Sequence, residues 1–283
     1  MKRLLLKSAL AAAVLGTFAL PATAGLLSVR ITDPNAGIAF LCTDNDVACD
    51  NNAVINEISL NALAVNTALS VGSAFNFIGL SAASNFVIGD PLVASITSSG
   101  GVSSTAINPG AQPLIIEISQ TDWIKPTGLR NFFQGPTTTF SNAGLGDFAA
   151  FYGLNDPENL IFAGNAAFDG PVGMLPAGAA DDIVTPLVQF NASSGDPQCG
   201  PVAGNIQTCA GQSQIINVLE PNPFSMTQRI VFATDPSAVA GALVRLQFTD
   251  TVSKFTSNQV PEPASGLLLG AGLLGMLAAR RKA

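Results

Sequence analysis

The stretch Phe224-Ser225-Met226-Thr227-Gln228-Arg229-Ile230-Val231-Phe232-Ala233-Thr234 decides the fold class. Phe224, Met226, Gln228, Ile230 and Phe232 fall on one side of an extended chain and make that side mostly apolar, the period-two signature of a strand packed on one face. Leu114-Ile115-Ile116-Glu117-Ile118 gives a similar face. Outward from these two stretches, short apolar or alternating runs recur between Gly, Pro, Asn and Asp. They predict strands over residues 27–32, 37–42, 54–61, 74–80, 92–97, 114–120, 147–153, 160–163, 183–190, 224–234 and 243–251. Helical periodicity is weak. The runs at 224–234 and 243–251 flank Asp235-Pro236-Ser237 and predict an antiparallel pair joined by a short loop. The proline-rich stretches 171–176 and 197–201 read as loops within one domain, and no internal repeat is seen. The expected fold is all-β, a single β-sandwich-like ectodomain.

Both ends of the chain differ from this body. Lys2, Arg3 and Lys7 precede an apolar run over residues 9–20, and Ala22-Thr23-Ala24 supplies the small residues that signal peptidase requires, so the mature chain is expected to begin at Gly25. At the other end, Val260-Pro261-Glu262-Pro263 is followed by sixteen small or apolar residues, 264–279, and then by Arg280-Arg281-Lys282. A helix of that length spans roughly 24 Å, short of the ~30 Å hydrocarbon core, and holds a membrane weakly. The terminal cations favour the cytoplasmic side, which leaves the body on the opposite face of the membrane. Pro261 and Pro263 disfavour helix in the residues before them, so an extended, protease-accessible stretch separates body from anchor. Three segments result: a signal peptide over 1–24, a β-rich secreted domain over 25–258, and a short transmembrane sorting helix within 259–283. Gly270-Ala271-Gly272-Leu273-Leu274-Gly275 has the spacing of a dinucleotide-binding loop, but the required strand, helix and acidic residue have no room around it.

The order Pro-Glu-Pro, short apolar helix, basic cluster resembles the PEP-CTERM sorting signal of exported proteins in Gram-negative bacteria that make extracellular polysaccharide. The resemblance implies an exosortase, an integral membrane protease that removes the anchor near Pro261-Glu262-Pro263 and sends the body to the cell surface or extracellular space. The acidic stretch from Asp44-Asn45-Asp46 to Asp50, the run from Leu114 to Asp122 and Pro223-Phe224-Ser225-Met226-Thr227 are similar to PEP-CTERM proteins with β-sandwich ectodomains. That likeness brings no catalytic residues, and the paired cysteines depart from it.

Without its ends the body holds six cations against eighteen acids, a net of −12, and the cations are scattered. Nucleic acid is therefore excluded as a partner, since counterion release needs clustered Lys and Arg. Cys42 with Cys49 and Cys199 with Cys209 form two close pairs in a chain sent to an oxidising compartment, so two local disulfides are expected. The chain has no histidine. That removes Ser-His-Asp and Cys-His catalysis and His-ligated metals. Eighteen acids supply many carboxylate pairs, among them Glu117 with Asp122 and Asp181 with Asp182, none of which the sequence singles out as a glycosidase dyad.

Calcium is the one ligand with a sequence signal, because Asp44, Asp46 and Asp50 lie with Asn45, Asn51 and Asn52 in and beside the Cys42–Cys49 loop. The loop does not match an EF-hand, and a solvated acidic turn is favoured over a metal site. Sugar platforms favour Trp and Tyr, and the chain has only Trp123 and Tyr152, while seventeen Phe residues suit a core between sheets. The expectation is a non-enzymatic surface or extracellular-matrix protein without a cofactor, structural or adhesive, associated with exopolysaccharide or biofilm. Its processing partners would be signal peptidase and exosortase, with transient contact to the inner membrane. A secreted polysaccharide-acting hydrolase using paired carboxylates is the alternative, followed by a calcium- or glycan-binding module.

Overall fold

The structure is a computed structural model that describes residues 25, 27–34, 38–69, 73, 75–86, 93–104, 113–124, 129–144, 146–157, 159, 162, 183–192, 195–219, 223–234 and 244–257. The expected signal peptide with Ala22 and Ala24, the sorting segment with Val260, Pro261, Glu262, Pro263, Arg280, Arg281 and Lys282, the Asp181-Asp182 pair and most of the 160–163 run lie outside those residues.

Among the described residues two seven-stranded antiparallel sheets carry the fold. Sheet I contains β1 (Ser28–Asp33), β2 (Ile38–Thr43), β6 (Leu114–Trp123), β8 (Phe148–Asp156), β9 (Ile183–Val184), β10 (Val188–Asn191) and β13 (Phe224–Ala233). Its order is β10-β8-β13-β6-β1-β2, with β9 also paired to β8. Sheet II contains β3 (Glu57–Ser59), β4 (Phe75–Ser84), β5 (Val93–Ser104), β7 (Arg130–Ser141), β11 (Ile206–Ala210), β12 (Ile216–Val218) and β14 (Arg245–Ser257). Here the order is β11-β7-β14-β5-β4-β3, with β12 also on β7.

One apolar core lies between the sheets. Phe232 of β13 meets Phe75 of β4 edge-on at 5.7 Å, and Phe224 meets Phe255 of β14 at 5.2 Å, so phenyl rings from opposite sheets interdigitate. Phe132 stacks on Phe255 at 4.1 Å and presses against β8. A Cβ at Gly153 would stand 2.5 Å from the Phe132 ring, so only glycine admits this approach. Gln228, the polar member of the β13 inner face, hydrogen-bonds Ser98 of β5 and the Thr251 carbonyl of β14, at 3.1 Å for the latter. A polar group buried in the core thus ties one sheet to the other.

The expected pairing of 224–234 with 243–251 is corrected. β13 lies between β6 and β8, and β14 lies between β5 and β7. Both edges of each strand are already paired, and the two face one another across the core with their aromatic sides together. The 54–61 run yields only the three-residue β3 and is followed by helix α1 (Ala62–Leu69). Asn61 caps that helix through Oδ1, which accepts the N–H groups of Leu63 and Ala64 at 3.0 and 3.3 Å. Strands β7, β11 and β12 are additions to the expected set. Pro136 sits inside β7 without breaking it because β14 shifts register between Thr249 and Val252, so the missing N–H falls opposite a bulge.

Candidate functional site at the two chain exits

The described chain begins and ends at one end of the sandwich. The Gly25 carbonyl accepts a hydrogen bond from Gln120 Nε2 at 2.9 Å, and a Cβ on Gly25 would stand 2.2 Å from the Thr121 carbonyl oxygen. The expected first residue of the mature chain is thus seated against the last residues of strand β6. Trp123 ends that strand and pairs with Phe224, the Phe224 ring lies 4.4 Å from the Arg130 guanidinium, and Arg130 pairs with Ser257. Those contacts lead from the first residue of the body across both sheets to the last described residue of β14.

The loop after β2 closes this end. Asn56, at φ 66°, donates its N–H to Asp44 Oδ2 at 2.7 Å, offers its carbonyl to Ser84, and accepts Gln120 Nε2 on its own Oδ1 at 3.0 Å. Asparagine tolerates the left-handed conformation better than most residues and supplies the side-chain groups as well. The Cys42–Cys49 disulfide anchors the start of the loop with a Cα–Cα distance of 5.9 Å. Cys199–Cys209 joins β11 to its preceding loop, so both expected local pairs form, and among the described residues no cysteine is free.

The carboxylates of the proposed calcium set are turned to main-chain N–H groups. Asp50 accepts Asn45, Asn52 and Ser59 at 3.1, 2.9 and 2.9 Å, Asp46 accepts Ala48 at 3.0 Å, and Asp44 accepts Asn56. Among the described residues no group of three or more His, Cys, Asp or Glu side chains gathers so as to hold a metal. Burial raises the Asp44 pKa above the ordinary carboxylate value; the Asn56 N–H opposes this, and the charges of Asp50 and Glu57 add to it.

A second polar constellation crosses the outer face of sheet I, built from residues that stand in the sequence as isolated charges. Tyr152, Arg229, Glu117 and Arg30 stand in register on β8, β13, β6 and β1. Glu117 lies between two guanidinium groups, with Arg229 Nε at 2.8 Å from Oε1 and Arg30 Nε at 2.5 Å from Oε2. Arg229 lies 5.6 Å from the Tyr152 ring centre, and Arg30 lies 4.5 Å from that of Phe162. Tyr152 packs with Ala150, Leu154 and Val231, so sheet I is buried on this face as well. Burial raises the Tyr152 pKa, with Arg229 opposing; burial acts to lower that of Arg229, and Glu117 and Tyr152 outweigh it. The Glu117 and Asp122 carboxylates are engaged separately, since Asp122 accepts Asn159 Nδ2 and Thr121 Oγ1 at 2.8 and 2.9 Å. Trp123 and Tyr152 are each 3 % exposed, which places both possible Trp or Tyr sugar platforms inside the protein.

A family model of the PEP-CTERM protein-sorting motif matches residues 259–282. The chain carries this sorting motif. The match begins two residues beyond Ser257 and contains the Pro-Glu-Pro, the apolar segment and the basic cluster. As a PEP-CTERM motif it implies export, transient anchoring in the membrane before surface display, and processing by an exosortase. Among the described residues no helix is long and apolar enough to cross a membrane. A search of curated proteins gives no match.

Proposed function

We propose that this chain is a non-enzymatic structural or adhesive protein of the cell surface or extracellular matrix, delivered there by exosortase processing and associated with exopolysaccharide or biofilm. The observation that carries this reading is the sorting motif at residues 259–282, joined within two residues to a β-sandwich. Signal peptidase releases the N-terminus at Gly25, the tail parks the folded domain at the inner membrane, and cleavage near Pro261-Glu262-Pro263 frees it. Two disulfides suit the oxidising compartment, and sheet-to-sheet polar ties such as Gln228 with Ser98 suit a domain that serves by being stable. The domain needs no resident cofactor in this reading.

A deletion strain tests the role. Matrix cohesion should fall without the gene and recover with the full chain, while a form ending at residue 258 should fail to restore it. Unchanged cohesion in the deletion strain would remove the matrix role.

A further inference from the structure

We propose that the end of the sandwich carrying both chain exits is a lipid-facing surface, which rests on the headgroup region of the bilayer while the sorting tail is inserted. The proposal builds on the anchoring implied by the sorting motif and adds a docking surface and orientation to it. Each exit has exposed aliphatic side chains of its own. Beside Gly25, the Gln120 amide that holds the Gly25 carbonyl also holds Asn56, and Asn56 directly follows Val54 and Ile55, the latter 66 % exposed. Beside Ser257, Arg130 pairs with both Ser257 and Val218, so exposed Leu129 and the 75 % exposed Leu219 flank the strand from which the tail departs. Ile124 follows Trp123 between the two exits, and Val47, at 95 %, projects from the disulfide-closed loop.

Charge and tether length agree with a bilayer as the occupant. Asp44, Asp50 and Asp156 at this end are buried, the half-buried Glu57 and Asp122 accept hydrogen bonds from the amides of Asn52 and Asn159, and Asp46 is the fully exposed carboxylate among the described acids there. Aliphatic side chains with little exposed charge suit an interface of mainly zwitterionic lipid. The apolar part of the tail starts at Ala264, seven residues after Ser257, and seven extended residues reach at most about 25 Å. This end is therefore held within a short distance of the membrane, where its local concentration is high enough for weak contacts to be occupied. Cleavage of the tail removes that advantage, so the same cut that severs the anchor also releases the docked surface.

The test uses the full chain reconstituted in phosphatidylethanolamine and phosphatidylglycerol vesicles that contain a headgroup-located quencher. The four native cysteines are in disulfides, so Leu219→Cys, Ile55→Cys and, at the opposite end of the sandwich, Val202→Cys each offer one site for a fluorophore. Flotation with the vesicles reports insertion of the tail. The expected result is flotation of all three, quenching several times stronger at positions 219 and 55 than at 202, and loss of that difference when the tail is cut. Flotation with equal quenching at all positions overturns the docking surface alone, whereas absence of flotation removes the anchoring on which it rests. Protection of position 219 only when exosortase is added, or only at high protein density, assigns this end to a protein partner or a second copy and also overturns the proposal.

Discussion

Glu117 and Arg229 occupy opposed positions on β6 and β13, and the Arg229 Nε–H donates to Glu117 Oε1 at 2.8 Å with both side chains buried. Arg30 meets the other carboxylate oxygen, so one acid lies between two bases. Removing the acid leaves buried guanidinium charge without its counterion. Glu117→Ala should therefore destabilise the domain by about 3–5 kcal/mol, measured by denaturant unfolding. In Glu117→Ala/Arg229→Met the loss should be smaller than the sum of the two single losses. Additive losses would show that the pair is not coupled.

Tyr152 is the single tyrosine, which makes its titration readable by phenolate absorbance. Its folded pKa lies above the ordinary tyrosine value of 10.0, chiefly through burial. A raised folded pKa means that the corresponding stability is present below the unfolded value and is lost as pH rises through the folded one. The native protein should thus show less phenolate at pH 10 than the unfolded chain and lose stability as pH rises further. A native titration at the ordinary value would place the hydroxyl in water.

Asp44 follows the same sign at the acidic end. Its raised folded pKa favours the protonated form in the native state, so this residue's contribution falls as pH rises from the ordinary carboxylate value through the folded value. Asp44→Asn keeps a carbonyl acceptor for the Asn56 N–H and removes the charge beside Asp50. Its Tm should exceed that of the parent at pH 7, and the difference should vanish at pH 3. In the parent, millimolar calcium should leave Tm unchanged, because Asp46 and Asp50 already serve the backbone of their own loop.

The sequence showed some levels of this structure and hid others for identifiable reasons. Met226, Ile230 and Phe232 set a clear period of two, and β13 lies where that period predicts. In β7 the inward positions are Arg130, Phe132, Gln134, Pro136, Thr138 and Phe140, all buried, but half of them are polar. Binary patterning fails there because Gln134 finds Ser253 and Arg130 finds the Phe224 ring, partners that only tertiary contact supplies. Proximity along the chain points to a β13–β14 pair, whereas burying two aromatic faces against each other places the strands in opposite sheets. The sorting motif was legible because order and charge define it without tertiary structure. The Arg30-Glu117-Arg229-Tyr152 row was not, since its members lie on four strands and only register brings them together.

Gly153 and Phe132 offer a test of the core. Gly153→Ala places a methyl group into the Phe132 ring and should cost about 1–3 kcal/mol, read as a lowered denaturation midpoint at unchanged slope. Phe132→Leu in the same background should recover part of that loss by giving the methyl room. No recovery would mean that the strain is held elsewhere.

Two local disulfides close the loops at Cys42–Cys49 and Cys199–Cys209. Periplasmically expressed protein should contain no free thiol, and Cys42→Ser/Cys49→Ser should lose roughly 2–3 kcal/mol through the freed unfolded chain. Four alkylatable thiols in native protein would contradict the pairing.

The central claim is that the tail is a removable address on a body that is sent onward. Intact mass of the protein from the membranes and the extracellular matrix of its native host, with and without exosortase, tests it most directly. The account predicts a matrix form that begins at Gly25 and ends near Pro261-Glu262-Pro263, with a chain retaining residues 259–283 accumulating in membranes when the protease is absent. An intact tail on the membrane protein in both strains, with none released, would contradict it.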